Sequence, residues 1–121
     1  RESGVRLSPG ETAVSFPDRF PVAAGHHLVI PRRHLSRLED LPSTEWLDLF
    51  ALVQSVAAGM AEQRDVDGLN VGVNSGQAAG QTVEHAHVHV IPRRAGDIED
   101  PRGGVRYVLP EKADYWTGRG D

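Results

Sequence analysis

Cysteine is absent from these 121 residues, and methionine occurs once. The first absence excludes a disulfide framework, a thiolate metal ligand and a thiol nucleophile, and it fits a reducing compartment, so a cytoplasmic location is expected. No apolar run approaches the ~18 residues of a membrane span, and no signal-peptide pattern opens the chain, whose first residue is Arg1. A membrane partner is therefore not expected. Basic charge is in short supply too: 13 Lys and Arg stand against 17 Asp and Glu, a formal net charge of -4. Such a balance gives no global attraction to nucleic acid, and only the local pairs Arg32-Arg33 and Arg93-Arg94 offer themselves as phosphate contacts. The 13 glycines and 8 prolines follow no collagen-like period. What is present is an ordinary globular composition, 39% hydrophobic and 25% charged. A chain of this length suits one domain, residues 1–121, burying roughly 65% of its unfolded surface.

Residues 12–16 (TAVSF) form a β-prone run closed by Pro17-Asp18, and residues 27–30 (HLVI) another closed by Pro31. From 43 to 64, Trp46, Phe50, Val53, Ala57 and Met60 recur at steps of 4, 3, 4 and 3, the stripe of an amphipathic helix. Ser43 is the expected N-cap and Glu45 suits the first turn. After a turn at Asp67-Gly68, residues 69–74 alternate as a half-buried strand. A glycine loop at 75–80 (SGQAAG) leads to a final strand-like run over 85–91, ending at Pro92; beyond Gly96 the one strand candidate is Tyr107-Val108-Leu109. The predicted class is α+β, a mainly antiparallel sheet with one long helix packed on it, because a loop this short suits a hairpin and not a parallel crossover.

Three of the six histidines alternate in that last run, at His85, His87 and His89, with Ala86, Val88 and Val90 between them. Strand geometry predicts a row of imidazoles ~6.6 Å apart on one face and a packed apolar face behind it. Two charged rings ~7 Å apart would repel by about 2.4 kcal/mol at an effective dielectric of ~20, so at least one ring is expected to be neutral near pH 7. A neutral imidazole held at Nδ1–H presents a free Nε2 lone pair, as a nucleophile, general base or metal ligand must. His87, flanked on both sides, is the natural candidate. Zinc is one alternative, although the outer two rings lie ~13 Å apart, too far for one ion; two could bind with help from elsewhere. The other reading is phosphoryl-type chemistry. It also explains the loop Ser75 to Thr82, whose small residues, with Gln81 and Thr82 as side-chain donors, would cradle a phosphate.

His85-Ala86-His87-Val88-His89-Val90-Ile91, preceded by Gly80-Gln81-Thr82-Val83, resembles the histidine triad signature of the HIT superfamily of nucleotide hydrolases and transferases. The segment from Asp18-Arg19-Phe20-Pro21 to Gly25-His26-His27-Leu28-Val29-Ile30-Pro31 resembles that family's upstream block, and QTVEHAHVHVIPRRAGD is closest to the Fhit-like branch, which cleaves dinucleoside polyphosphates such as diadenosine polyphosphates. The match spans about 12–98, leaving 99–121 as a C-terminal tail that could cover the site or reach a partner subunit. The resemblance implies a homodimer with a joined sheet and a two-step reaction. In the first step His87 attacks the α-phosphorus of a nucleotide in line and forms a nucleotidyl-histidine. In the second, water releases a nucleoside monophosphate such as AMP. His89 matches the position that bonds phosphate oxygens, His85 the one that orients the nucleophile, and His26 the additional upstream histidine. Asp18 matches the residue that holds the ribose hydroxyls, and Gly80, Gln81, Thr82 and Val83 the substrate-binding loop. Asn74 matches a phosphate- or leaving-group-contacting position where Fhit-like proteins carry Gln and Hint-like ones carry Asn. That departure keeps nucleoside phosphoramidates beside dinucleoside polyphosphates as substrates. A nucleotide-binding protein without turnover and a zinc-binding module are the readings from other classes. No metal or cofactor is required of the protein, though magnesium could travel with a polyphosphate substrate. The expected partner is a small nucleotide and no nucleic acid. His27 and His34 fall outside these roles and read as structural or surface residues.

Overall fold

The structure is a computed structural model that describes residues 4–118. Four strands stand where the β-prone runs predict: β2 (Ala13–Pro17), β3 (His27–Pro31), β4 (Gly68–Val73) and β5 (Val88–Arg93). A two-residue strand, β1 (Arg6–Leu7), pairs with Val14 and Ser15 at one edge. It carries no alternation and was not expected. Every pairing is antiparallel, in the order β1-β2-β3-β5-β4. The sequence-based α+β reading therefore holds, with helix α1 (Ser43–Ala61) lying on one face of a five-stranded sheet. Among the described residues no helix is long and apolar enough to cross a membrane.

The core lies between α1 and that face. Leu49, Leu52, Val53, Val56 and Met60 pack on Ala13, Val29, Val88 and Val90, with Ala86 joining from the segment before β5. The buried stripe is thus rotated from the predicted one. Trp46 is 37% exposed and packs beside Phe50, ring centroids 5.3 Å apart. Two apolar stripes overlap on this helix, and the sheet takes the one rich in Leu and Val, whose branched side chains interdigitate with its valines. Ser43 is also not the cap: Pro42 occupies that position with extended backbone, and its carbonyl receives the N–H of Trp46 at 2.9 Å.

Asp48 ties α1 to the β1–β2 turn. Its carboxylate accepts hydrogen bonds from Ser8 Oγ at 2.5 Å, Gly10 N–H at 2.7 Å, and the N–H and Oγ1 of Thr12 at 3.0 and 2.6 Å. Those bonds, led by the Ser8 and Thr12 hydroxyls, hold the carboxyl far below the usual carboxylate range.

Two expectations about the later chain need correction. The run 107–109 is no strand: Gly104–Val108 forms a 3₁₀ turn, followed by another at Pro110–Lys112. Gly103 and Gly104 adopt φ of 93° and 47°, and the Arg106 guanidinium donates to Lys112 O and Ala113 O at 2.8 Å each, which curls this stretch on itself. The link from β4 to β5 is also longer than a hairpin over 75–80, since β5 begins only at Val88. Before it, the chain bonds to the segment after β3, with Ala86 N–H donating to Leu35 O at 2.8 Å.

Replacing Leu52, 1% exposed, with Ala is expected to lower the unfolding free energy by about 2–5 kcal/mol. Leu47→Ala, on a residue 70% exposed, is expected to cost less than about 0.5 kcal/mol. Urea titrations of the two variants check the orientation of the helix.

Candidate active site

Period-two geometry sets the site. Ala86, Val88 and Val90 are buried under α1, so the half-buried His87 and His89 turn to the opposite, open face of the sheet. Register brings further residues to that face. Leu28 and Gly72 lie across from His89, and Asn70 lies across from Ile91. Val73 and Val88 are the last pair of the β4–β5 ladder; Asn74 directly follows it in the chain and His87 directly precedes it.

The three histidines do not form a simple row along one strand. Only His89 lies within β5. The rings of His87 and His89 are neighbours, centroids 5.0 Å apart, and His26 meets His89 at 5.1 Å from its position just before β3. The His85 ring is engaged instead with Pro31 O at 2.8 Å and the His34 ring, Nδ1 to Nδ1, at 3.2 Å. It gave way because residues 81–87 run beside the 31–35 segment and not beside β4.

Partners fix where the protons sit. His87 Nδ1 lies 2.8 Å from the His85 carbonyl; a carbonyl only accepts, so Nδ1 carries the hydrogen, and in the neutral ring Nε2 presents the lone pair. The N–H of Val22 donates to His26 Nδ1 at 3.1 Å. His26 therefore holds its hydrogen on Nε2, which lies 3.0 Å from His89 Nδ1 and 3.4 Å from Asp18 Oδ2. His89 accepts at Nδ1 and so carries its own hydrogen on Nε2 as an outward donor. Burial pushes the pKa of both His26 and His89 below the ordinary histidine value. Asp18 partly opposes this at each; His27 adds to it at His26, and His87 and His26 add to it at His89. The arrangement offers a nucleophilic nitrogen on one ring beside a neutral donor on the next.

Asp18, His26 and His89 place one ligand atom each within 4.8 Å of the others, residue types suited to a divalent transition metal. The proton inventory argues for a hydrogen-bonded relay: a metal at His26 Nε2 would force the hydrogen onto Nδ1, against the Val22 N–H. Asp18 also receives the Phe20 N–H on Oδ1 at 2.8 Å. One carboxylate lone pair is so used, and others stay open to hydroxyl donors.

The glycine loop stands apart from this cluster. Gly76 and Gly80 have φ of 96° and 99°, which favours glycine at both. Gln81 is not a free phosphate donor as expected. Its Oε1 accepts the Gly76 N–H at 2.7 Å, and its Nε2 donates to Ser36 O and Val83 O at 2.8 and 3.0 Å, so the amide ties the loop together. Gly80, Thr82 and Val83 are exposed. A cleft of about 540 Å³ over the loop is lined by Gly80, Gln81 and Thr82 with Arg37 and Glu84, and by no histidine. The arginine pairs are largely engaged too: Arg93 bonds Asp97 and Asn70, Arg94 bonds Asp65 and Ala24 O, and Arg33 bonds Glu45. Two features escaped the sequence reading. One is a trough of about 600 Å³ lined by Val22, Asn70, Ile91 and Arg93. The other is the contact of His34 with His85, which only the path of residues 81–87 creates.

A HIT domain model matches residues 6–96. Over 85 residues the chain is 45% identical to the nitrilase and fragile histidine triad fusion protein NitFhit of Caenorhabditis elegans, covering 70% of this chain and 19% of that protein. Over 90 residues it is 41% identical to a bis(5'-adenosyl)-triphosphatase of Dictyostelium discoideum, covering 74% and 60%. The chain thus spans less than two thirds of either relative. The crystal structure of the C. elegans NitFhit protein superposes with a TM-score of 0.70 at 33% identity, covering 93% of this chain and 29% of that one. With the imidazole pair on the open sheet face and the sequence likeness covering the same strands, the chain belongs to the HIT domain family.

Proposed function

We propose that this protein hydrolyses dinucleoside polyphosphates at an α-phosphate through a covalent nucleotidyl-histidine on His87. The observation that carries the reading is the bond from His87 Nδ1–H to the His85 carbonyl, which in the neutral ring puts the lone pair on Nε2, beside His89. In the first step that lone pair forms the N–P bond, and the bond from phosphorus to the bridging oxygen breaks; the leaving nucleotide departs with the electron pair. In the second, a water oxygen attacks phosphorus, the P–N bond breaks, and the water proton passes to solvent. A nucleoside monophosphate leaves, and His87 regains its lone pair. His89, neutral with its hydrogen on Nε2, donates to the phosphate oxygens as charge builds on them. Asp18 accepts from ribose hydroxyls through its open lone pairs. The name of the D. discoideum relative supports the substrate class.

The protein side of this chemistry needs no metal, and magnesium enters with the polyphosphate. A homodimer fits the reading, its sheets joining along β4, which ends the sheet. Asn74, the residue directly after β4, stands where Hint-like proteins carry Asn and so keeps phosphoramidates as the second substrate class.

Incubation with diadenosine triphosphate and with adenosine phosphoramidate, followed by product analysis, separates the two classes. His87→Ala is expected to slow turnover on the order of 10³-fold or more while AMP still binds in calorimetry. Equal turnover by the variant removes His87 from its role. Acid-quenched wild-type protein should carry the mass of one nucleotidyl group, and His87→Ala none. AMP binding with neither turnover nor adduct would point to a binding protein.

The lowered pKa values of His26 and His89 set the acid limb. At pH 7 both rings are neutral; activity should persist as pH falls past the ordinary value of 6.5 and drop only when the lowered values are crossed. Stability moves earlier. Below 6.5 the unfolded chain binds protons that the folded rings refuse, so the unfolding free energy declines as pH falls toward those lowered values. Rate profiles and urea titrations from pH 8 to pH 4.5 test both.

A further inference from the structure

His34 has no place in the mechanism above, yet its ring meets that of His85 edge-on, centroids 5.0 Å apart and Nδ1 to Nδ1 at 3.2 Å. The proton between them can be assigned. His85 Nε2 lies 2.8 Å from Pro31 O, so that nitrogen carries the hydrogen, and in the neutral ring Nδ1 is a bare acceptor. His34 Nδ1 must then be the donor. The same residue, His85, lends its backbone carbonyl to His87 Nδ1–H at 2.8 Å. Among the described residues no sheet pairing steadies that carbonyl, because β5 begins three residues later at Val88. What steadies it is the anchoring of the His85 ring at both nitrogens, with the adjacent Ala86 N–H bonded to Leu35 O at 2.8 Å.

We propose that His34 is a positioning residue for the nucleophile: by donating to His85 Nδ1 it fixes the side chain whose backbone carbonyl keeps the hydrogen of His87 on Nδ1 and the lone pair on Nε2. The inference rests on the reading of His87 as the nucleophile. It differs in kind from the roles of His26 and His89, since His34 is exposed and acts through another residue. Removing it leaves the His85 acceptor without its donor; loss of the outer partner of a metal-ligating histidine costs about 10–100-fold, and an effect at the low end of that range is expected here.

The test compares wild type, His34→Ala and His34→Asn, because an Asn side-chain amide presents an N–H close to where histidine Nδ1–H stands. Steady-state kinetics on diadenosine triphosphate are paired with long-range proton–nitrogen NMR of ¹⁵N-histidine-labelled protein, which reads each ring's tautomer. His34→Ala is expected to lower kcat about tenfold with KM within about twofold, and to move His87 from the Nδ1–H form to a mixture. His34→Asn is expected to recover both. The proposal is overturned if kcat is unchanged in His34→Ala, if KM rises while kcat holds, if His34→Asn fails like His34→Ala, or if the His87 tautomer ignores all three residues at position 34. Absence of turnover in every protein would instead sink the hydrolase reading, and the tautomer of His87 in His34→Ala would still decide whether His34 positions it.

Discussion

Val88 and Val90 against helix α1 are the constraint on which the rest depends. Both are fully buried, packed with Val29, Leu49 and Leu52, and burying each such side chain is worth about 1.5–3 kcal/mol. Because side chains on a strand alternate, seating these two valines under the helix leaves His89 and its neighbour His87 no choice of face. A register slip of one residue would bury imidazoles and expose valines, so core packing and site geometry are a single decision. The glycines around the site answer to the same geometry: Gly72, across from His89, puts no side chain on the open face beside the rings.

On that face the histidines act through the accounting of hydrogens. Each ring has two nitrogens and, when neutral, one hydrogen, so a single fixed partner settles both ends. A backbone carbonyl decides His87, a backbone N–H decides His26, and His26 decides His89. Burial works in the same direction by keeping His26 and His89 uncharged, the state that a one-hydrogen bond between two rings requires. Neutral rings also avoid the mutual repulsion that would follow from crowding three imidazoles with centroids about 5 Å apart.

Much of this was legible in the residues. Proline closed the runs ending at Pro17 and Pro31, alternation marked β4 and β5, and the apolar repeat marked α1, because these patterns follow from local steric rules. The misses have local explanations as well. Arg6 and Leu7 form a strand only because Val14 and Ser15 offer them an edge. The helix could bury either of two overlapping stripes, and only contact with the sheet selects Leu49, Leu52 and Val56 over Trp46. Tyr107, Val108 and Leu109 have strand-forming side chains, but the glycines before them and Pro110 after them turn the backbone. Gln81 has the chemistry of a phosphate donor and spends it on Gly76, Ser36 and Val83.

The family likeness followed from residue type, the one long helix from the apolar repeat at steps of 3 and 4, and the place of His87 between two other histidines from period-two spacing, all of which act along the chain. Tertiary structure decided which ring bonds which. His26 reaches His89 across 63 positions and His34 reaches His85 across 51, and the path of residues 81–87 beside 31–35 turns His85 from a member of a row into a support. Tautomers depend on the partner that arrives within about 3 Å, and a partner brought by folding from a distant segment leaves no mark on local spacing.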